Sequence, residues 1–310
     1  MNGPPIPLRF GVAATGAALL ASCVAPSDTT PAEQPPAPIA RPASAPPTPA
    51  PTPSGPSTFL YSGELTQGGW LRGQAPGGTM SATLDGQALS LDPEGRFFAA
   101  FDRDAGPIAT LVATLPGGRT VERQLTIAPR SWNIERVNVP MRPGNAPTEA
   151  FMALRRPELA QIAAARAQDN AIEGWRQTFI WPVKGRISGR FGSQRIYRGG
   201  EAGSYHSGLD IATGASGTPY VAPADGVVVL AAQSPFTLEG NLLIIDHGGG
   251  LNSAFLHSSR LAVKLGDTVR QGQYIGNIGA TGRASGPHLH WALKWRDARL
   301  DPLLFLGPMN

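Results

Sequence analysis

Short apolar runs alternate with turn-forming residues along most of the chain from Thr58 onward. Up to Ala128 these runs include "TFLYSGELT", "GTMSATLDGQALSL" and "ATLVATLPGGRTVERQLTI", and Gly- or Pro-containing turns separate them. Several short strands at roughly ten-residue spacing are typical of a small antiparallel sandwich. The pattern therefore predicts an immunoglobulin-like β domain at 58–128, acting as a spacer or as a weak binding module.

A helical segment interrupts the strands. Residues 148–173, "TEAFMALRRPELAQIAAARAQDNAIE", have helical character, and Thr148 is a suitable N-cap. Pro157 is expected to begin a second helix or to kink the first, because proline lacks the backbone N–H. We predict a helical connector at 129–178.

From Phe179 the strand pattern returns. The segments "DGVVVLAA", "GNLLIIDHG", "LNSAFLH" and "HLHWALK" are each bounded by turns that contain glycine. No helical pattern of useful length follows Trp181. The sequence thus predicts a mainly β protein, whose C-terminal part at 179–306 is an antiparallel β-sheet domain able to carry a site in a groove across one sheet.

Composition changes this picture at the N-terminal end. Residues 24–57 hold 12 prolines among Ala, Ser and Thr, a composition that cannot build a core and favours an extended, semi-rigid linker. In front of it, "LRFGVAATGAALLASC" places Arg9 before an apolar run that is too short to span a bilayer and has the length of a signal-peptide core. We interpret 1–23 as a signal peptide.

The last four residues of that segment, "LASC", resemble a bacterial lipobox, and Cys23 is the only cysteine of the chain. The resemblance implies that Cys23 is lipidated, that it becomes the first residue of the exported protein, and that a membrane holds this end. Val24, not an acidic residue, follows the cysteine. This favours an outer-membrane lipoprotein on the periplasmic face of a Gram-negative cell envelope.

The charge of the chain is mildly basic, with a formal net charge of +4. Such a balance is compatible with an anionic polymer as partner, although a solvated basic surface explains it equally well. No run of Lys and Arg indicates nucleic acid, which we do not expect as a partner. The sequence points to no particular protein partner.

Candidate chemistry concentrates in the C-terminal domain, which holds all five histidines. His206 and Asp210 are four residues apart, and His288 and His290 are two apart, so each pair shares one face of an extended strand. Two histidines and one carboxylate are a recurrent catalytic zinc set, in which water keeps the fourth position. Either motif alone is a weak signal, and a pair of exposed strand histidines is the alternative for "HLH".

Much of the domain, at about 179–306, is similar to the lysostaphin/LytM-type zinc endopeptidases of bacterial cell walls. The similarity is carried by "WPVKGRISGRFG", "HSGLDIATGASGTPYVAPADGVVV", "GNLLIIDHGGGL", "FLHSSRLAVKLGDTVRQGQYIGNIGATGRASGPHLHWAL" and "LDPLLFL". It implies that Zn²⁺ is bound by His206, Asp210 and His290. It also implies that His288 is the general base on the metal-bound water, and that His257 orients this water or steadies developing charge.

Other polar residues of the domain have structural interpretations. His247 lies where a strand runs into the glycines of "IDHGGG", and we expect it to be structural. Asp225 and Asp267 lie in tight turns, where aspartate satisfies local backbone groups.

The segment before His206 varies within the family and leaves the oxyanion donor open. Arg195, Tyr197 and Tyr205 are candidates for this role, and packing of the loop is an equal alternative for each. On extended backbone Tyr205 points away from the face of His206, which counts against it.

The resemblance implies a zinc-dependent endopeptidase that cuts peptide cross-links of peptidoglycan, with the metal-bound water as nucleophile. For a Gram-negative cell the bond would join D-Ala to diaminopimelate. The rival interpretation is a weak or inactive member of the same fold that binds wall or activates an amidase. Members of that kind have lost metal ligands, whereas this chain keeps every one. A wall-tethering scaffold dominated by the domain at 58–128 is a third interpretation.

Overall fold

The computed structural model describes residues 55–141, 148–232 and 234–309. The predicted signal peptide, Cys23 and nearly all of the Pro-rich linker lie outside the described residues. Within the described ranges, no helix combines the length and the apolar character needed to cross a membrane.

The N-terminal part of the described chain consists of two antiparallel sheets. One has the order β1-β2-β5 and the other the order β4-β3-β6-β7. In β6, Ala109, Leu111 and Ala113 are buried and alternate with less buried residues, as expected for a strand with one face on a core. The seven strands are β1 (Leu60–Glu64), β2 (Trp70–Gln74), β3 (Ser81–Leu84), β4 (Gln87–Ala88), β5 (Arg96–Ala100), β6 (Ile108–Thr114) and β7 (Thr120–Thr126). The two sheets enclose buried Leu71, Phe97 and Leu125, and we call this region the sandwich.

The segment between the two β regions is helical only in part. It begins with strand β8 (Ile134–Pro140), which pairs in parallel with β10 (Gln194–Arg198). Valines at alternate positions suit an edge strand, and proline is tolerated at its end. This strand was not expected from the sequence.

Helix α1 (Glu149–Arg166) follows, and the Thr148 hydroxyl accepts from the Phe151 N–H at 3.1 Å, as expected for an N-cap. The helix continues through Pro157 as one element, so the first of the two expectations for Pro157, the start of a second helix, is wrong. Ile162 and Ala165 bury the inner face of α1 against the large sheet, and this packing outweighs the local disadvantage of proline.

The C-terminal domain is built on one large antiparallel sheet of order β17-β13-β14-β15-β19-β11-β9, with β20 also paired to β19. A smaller sheet has the order β12-β18-β16. The mainly β prediction is confirmed. The strands are β9 (Arg186–Gly189), β10 as above, β11 (Leu209–Ala212), β12 (Pro219–Val221), β13 (Gly226–Ala231), β14 (Asn241–Asp246), β15 (Leu251–Ser258), β16 (Arg260–Leu261), β17 (Thr268–Val269), β18 (Tyr274–Asn277), β19 (Leu289–Trp295) and β20 (Ala298–Leu300). Short 3-10 turns occur at Pro116–Gly118, Gly174–Arg176 and Pro302–Phe305.

The central strand β19 separates the core from a groove. Leu289, Trp291 and Leu293 are buried in the main core. Because successive side chains of a strand point to opposite faces, His290, Ala292 and Lys294 lie on the other face. Helix α1 packs on that same face, against Leu242, Ile244 and Ala254 of the sheet. The helix therefore bounds one end of the groove.

The sandwich and the C-terminal domain share one continuous core. Trp70 of β2 packs on Phe305 with ring centroids 5.3 Å apart, and its Nε1–H donates to the Leu304 carbonyl at 2.9 Å. The Arg72 guanidinium donates to the carbonyl of Trp175 at 2.7 Å. These contacts fix the position of the sandwich relative to the groove.

Candidate metal centre

Three side chains from separate positions in the chain meet at the middle of the groove. Asp210 lies in β11 and His290 in β19, where the two residues are direct partners of the antiparallel register. His206 lies in the loop just before β11, four residues ahead of Asp210. The strand pairing therefore brings together motifs that are 80 residues apart in the sequence.

The donor atoms of these residues converge on one point. His206 Nε2 is 3.0 Å from Asp210 Oδ1 and 3.1 Å from His290 Nδ1, and His290 Nδ1 is 2.8 Å from Asp210 Oδ1. The three residues form the one cluster of metal-binding geometry found within the described parts of the chain.

The surroundings hold the rings in position. His206 Nδ1 donates to the Arg190 carbonyl at 3.1 Å, which leaves its Nε2 free to offer a lone pair to the cluster. A Cβ on Gly189 would lie 2.4 Å from Asp210 Oδ2, and one on Gly208 would lie 2.7 Å from His290 Nε2. Only glycine fits at either position, because any side chain would push a member of the cluster out of place.

The charge state of the cluster follows from its burial and its hydrogen bonds. Burial opposes ionisation of Asp210, but hydrogen bonds from His206 and His290 hold the pKa of this carboxyl well below its usual range. Burial also opposes protonation of His206, and the hydrogen bond to Asp210 more than offsets this, so the pKa of His206 is raised. Burial lowers the pKa of His290. The site thus concentrates negative charge on Asp210 and favours a positive charge beside it.

This donor set fits a zinc ion. With the His206 Nδ1–H used on Arg190, lone pairs of His206 Nε2 and Asp210 Oδ1 face each other, and such an arrangement needs a proton or a cation between them. Zn²⁺ commonly takes imidazole nitrogen and carboxylate oxygen at about 2.0–2.2 Å in a tetrahedral arrangement, which puts neighbouring ligand atoms roughly 3.3 Å apart. The atoms here would have to separate by less than about 1 Å to reach that spacing.

His288 and His257 flank the cluster without joining it. His288, one residue before β19, donates from Nδ1 to the Gly286 carbonyl at 2.8 Å, and its Nε2 lies 3.7 Å from Asp210 Oδ1. His257, in β15, donates from Nδ1 to the Thr281 carbonyl at 2.9 Å. The two rings lie 5.0 Å apart by centroid. Burial lowers the pKa of His257 and so favours its neutral form.

The cluster lies in a cleft that is open on more than one side. A depression of about 490 Å³ contains the three cluster residues together with His257 and His288. A second one, of about 590 Å³, continues from Asp210 and His288 past Ser188 and Arg186 of β9. Residues 283–285 line the first depression, residues 285–287 line the second, and Ser285 is common to both. An extended polymer suits such a cleft better than a compact small molecule does.

The remaining histidine lies away from the cleft. His247 is fully buried, donates from Nδ1 to the Asp225 carbonyl at 2.7 Å, and has its Nε2 2.8 Å from Ser253 Oγ. The Asp267 carboxylate accepts from the backbone N–H of Lys264 three residues earlier, as expected in a turn, whereas the Asp225 carboxylate accepts from the backbone N–H of Gln271, 46 residues away. All three residues therefore have structural contacts.

The three oxyanion candidates are engaged in packing. The Arg195 guanidinium pairs with Glu135 of β8 at 2.7 Å. The ring of Tyr197 lies against Gly203, where an added Cβ would be 3.2 Å from it. The hydroxyl of Tyr205 accepts from Arg299 Nη1 at 3.3 Å, and the Arg103 guanidinium lies over its ring. None of these groups lines the depression around the cluster.

Several residues that shape the site were not identified from the sequence. Gly208 lies between His206 and Asp210 in "HSGLD", and a glycine between two candidate ligands is a signal that could have been used, whereas Gly189 has no candidate ligand near it in the sequence. The backbone carbonyls of Arg190 and Thr281 also shape the site, but the residue type at a position does not indicate what its backbone carbonyl contacts. Arg283, at the edge of the depression, lies in the same "TGRASGPH" segment as His288.

Comparisons with known proteins point to one family for the region that carries the cluster. Residues 204–302 match the sequence profile described as Peptidase family M23. The chain is similar to the peptidoglycan DD-endopeptidase ShyA of Vibrio cholerae, with 41% identity over 131 residues, which is 42% of this chain and 30% of that protein. It is also similar to the murein hydrolase activator NlpD of Escherichia coli, with 34% identity over 129 residues, 42% of this chain and 31% of that protein. The match therefore spans less than a third of either relative.

Among solved structures, the fold is similar to a crystal structure from Pseudomonas aeruginosa that is described as a peptidase of family M23. The identity is 26% and the TM-score is 0.58, over 78% of this chain and 94% of that one. The likeness thus extends well beyond residues 204–302. Residues 204–302 of the chain thus match a peptidase M23 domain.

Proposed function

We propose that the chain is a zinc-dependent endopeptidase that hydrolyses peptide cross-links of peptidoglycan. The observation that carries this proposal is the convergence of His206, Asp210 and His290 on one point, with His288 and His257 beside it. The name of the Vibrio cholerae relative, a peptidoglycan DD-endopeptidase, supports the same class of substrate. The open cleft supports a polymeric one.

His206, Asp210 and His290 would hold the zinc ion. When bound, zinc supplies Lewis acidity toward a carbonyl oxygen and lowers the pKa of water. The hydrogen bond from His206 to the Arg190 carbonyl keeps Nε2 available as a ligand. Gly189 and Gly208 leave the space that the aspartate and the second imidazole occupy.

His288 is positioned for proton transfer. Because Nδ1 donates to the Gly286 carbonyl, the neutral ring has its lone pair on Nε2, which faces the cluster. This nitrogen would accept a proton from the attacking water and pass it to the departing amine. His257 likewise has Nδ1 held by Thr281, which leaves a lone pair on Nε2 of the neutral ring, and this nitrogen would accept a hydrogen bond from the attacking water and orient it.

We propose that the hydrolysed bond joins D-Ala to diaminopimelate. The enzyme would reach the peptidoglycan of the envelope from a lipid anchor at Cys23 in the outer membrane. The lipobox-like segment and Val24 support this location. The relative named as a hydrolase activator supports the alternative, in which the domain binds wall and stimulates an amidase. The complete donor set favours the enzyme.

The test is digestion of purified sacculi by the full chain, followed by mass analysis of the muropeptides. We expect loss of cross-linked dimers and gain of monomers, and a metal chelator should abolish the change. Asp210→Asn is the matched control, since it keeps the shape of the side chain and removes the charge. Unchanged dimers, together with stimulation of an added amidase, would establish the activator instead.

A further inference from the structure

A second cavity adjoins the metal cluster at His290. It measures about 250 Å³ and lies between α1 and the groove face of the large sheet. Ile162 of the helix and Ala292 of β19 line it. The small side chain of Ala292 leaves room directly beyond His290, so the cavity continues the cleft toward the helix.

Besides Arg155, which is paired with Glu239, three cations line this cavity. Lys294 of β19 and Arg299 of β20 are direct partners in the strand register, and Arg166 reaches them from the last turn of α1. Arg166 comes from a helix more than 120 residues before the two consecutive strands that carry Lys294 and Arg299. The fold therefore gathers positive charge at one end of the groove.

Little negative charge within the described residues balances these cations. No carboxylate pairs with Arg166 there, and its buried Nε has no hydrogen-bond partner. Lys294 contacts only Asp297, at 3.3 Å, and the Asp297 side chain is fully exposed. Glu239, the one carboxylate that lines the cavity, is held by two bonds from Arg155, both of 2.6 Å.

Burial lowers the pKa of Arg166 and of Lys294. Glu239 partly offsets this effect for Arg166, and Asp297 does so for Lys294, whereas the positive neighbour Arg299 lowers the pKa of both further. Such a site favours an anion, because the anion would replace lost solvation and relieve the repulsion at once. A guanidinium beside an ammonium is also a suitable donor pair for a carboxylate.

We propose that this cavity is a subsite for a free carboxylate of the peptide substrate. The proposal rests on the function proposed above, since it places the carboxylate on the same strand of peptide that crosses the cluster. Lys294 is four residues beyond His290 along β19, roughly 13 Å at the usual rise per residue. An extended peptide advances at the same rate, so the recognised carboxylate lies within about four residues of the hydrolysed bond. Stem peptides of peptidoglycan carry such groups on glutamate and diaminopimelate.

Binding of a linear stem tetrapeptide to the full chain tests this subsite by calorimetry, because that peptide contains no cross-link to be cut. It is compared with the same peptide in which every carboxylate is a carboxamide. The wild type should bind the free form more tightly. Lys294→Gln and Arg166→Gln should each weaken binding of the free form by roughly tenfold to a hundredfold and leave the amidated form unaffected, as loss of a charged hydrogen bond predicts.

Lys184→Gln is the matched control, because Lys184 is exposed and forms no ion pair within the described residues. Equal binding of both peptides by the wild type, or an equal loss for both in the variants, would overturn the subsite. If cross-linked muropeptides are cut while the carboxylate preference is absent, only this inference fails. If the preference is present and depends on Lys294 but nothing is cut, the subsite stands and the endopeptidase proposal fails.

Discussion

His257 combines a functional position with a strained backbone. Its φ of 64° lies in the left-handed region, which few residues other than glycine adopt. Two hydrogen bonds hold it there, from its N–H to the Glu239 carbonyl at 2.8 Å and from Nδ1 to the Thr281 carbonyl. Replacing His257 by alanine would therefore alter the backbone as well as the ring, whereas asparagine tolerates this region. His257→Asn is the better variant for testing the role of the imidazole.

Substitution of a cluster residue should reduce zinc binding, whereas substitution of His288 should reduce the rate of hydrolysis and leave zinc binding intact. Elemental analysis of the full chain should give close to one zinc per chain, and His290→Ala should lose it, because the donor atom nearest to Asp210 is removed. His288→Ala should keep the zinc and lose activity by about 10²–10⁴-fold, the usual effect of a missing general base. Full zinc in His290→Ala, or near-normal turnover in His288→Ala, would contradict the assignment.

The buried His247 makes stability depend on pH. Burial lowers its pKa to about 4, although the neighbouring Asp225 acts in the opposite direction. In the unfolded chain the pKa is near 6.5, so the unfolded state binds more protons between these values, and folding weakens as the pH falls from about 6.5 to 4. The free energy of unfolding should fall by up to about 3 kcal/mol over this pH range.

Urea unfolding at pH 7 and at pH 4.5 measures this effect. His247→Gln, which has no titrating ring, should show a smaller difference between the two pH values than the wild type. An identical difference in both proteins would show that other groups cause the pH dependence.

At the scale of elements, the strands that carry Asp210 and His290 were the easiest to predict, whereas His206 lies in a loop and not on the strand expected to carry it together with Asp210. The "HLHWALK" segment alternates regularly, and its register with β11 puts His290 opposite Asp210. Strand β8 was missed because its partner is the distant β10, and parallel pairing across about 60 residues leaves no local pattern. The cluster of cations in the second cavity was also not predicted, because Arg166 and Lys294 are brought together only by the packing of α1 on the sheet.

Helix α1 is held to the sheet domain by a buried ion pair and its neighbours. The Arg155 guanidinium binds both oxygens of Glu239, and Glu158 accepts from the backbone N–H and the hydroxyl of Thr237. We expect Arg155→Met to lower the free energy of unfolding by about 2 kcal/mol and to speed hydrogen exchange in α1, because it leaves Glu239 without its partner. Arg155→Met combined with Glu239→Leu should recover much of this loss. If the single and the double variant are equally unstable, the loss of stability does not come from leaving Glu239 without its partner.

At the scale of the whole molecule, one prediction concerns the end of the chain that lies outside the described residues. If Cys23 carries lipid, the mature protein should fractionate with membranes, since a multiply acylated terminus anchors stably. Cys23→Ser should remain an unprocessed precursor. Mass spectrometry of the mature N-terminus decides this, and an unmodified Cys23 within a retained leader would refute the anchor.

The same anchor gives the Pro-rich linker a measurable role. Shortening residues 26–56 should leave cleavage of soluble muropeptides unchanged and reduce cleavage of intact wall in cells, because only the reach from the membrane changes. An equal loss on both substrates would show that the segment acts on the enzyme itself.

The contact of Trp70 with Phe305 determines how the molecule can be divided. Phe305 packs against Trp70 and Phe98 of the sandwich in the shared core. Removing the sandwich would therefore expose Phe305 and would leave the carbonyl of Trp175 without the Arg72 donor. The exposed patch would be apolar and contiguous, and surfaces of that kind aggregate. The isolated peptidase domain is thus expected to be poorly soluble, and attempts to transplant it onto another carrier should take the sandwich with it.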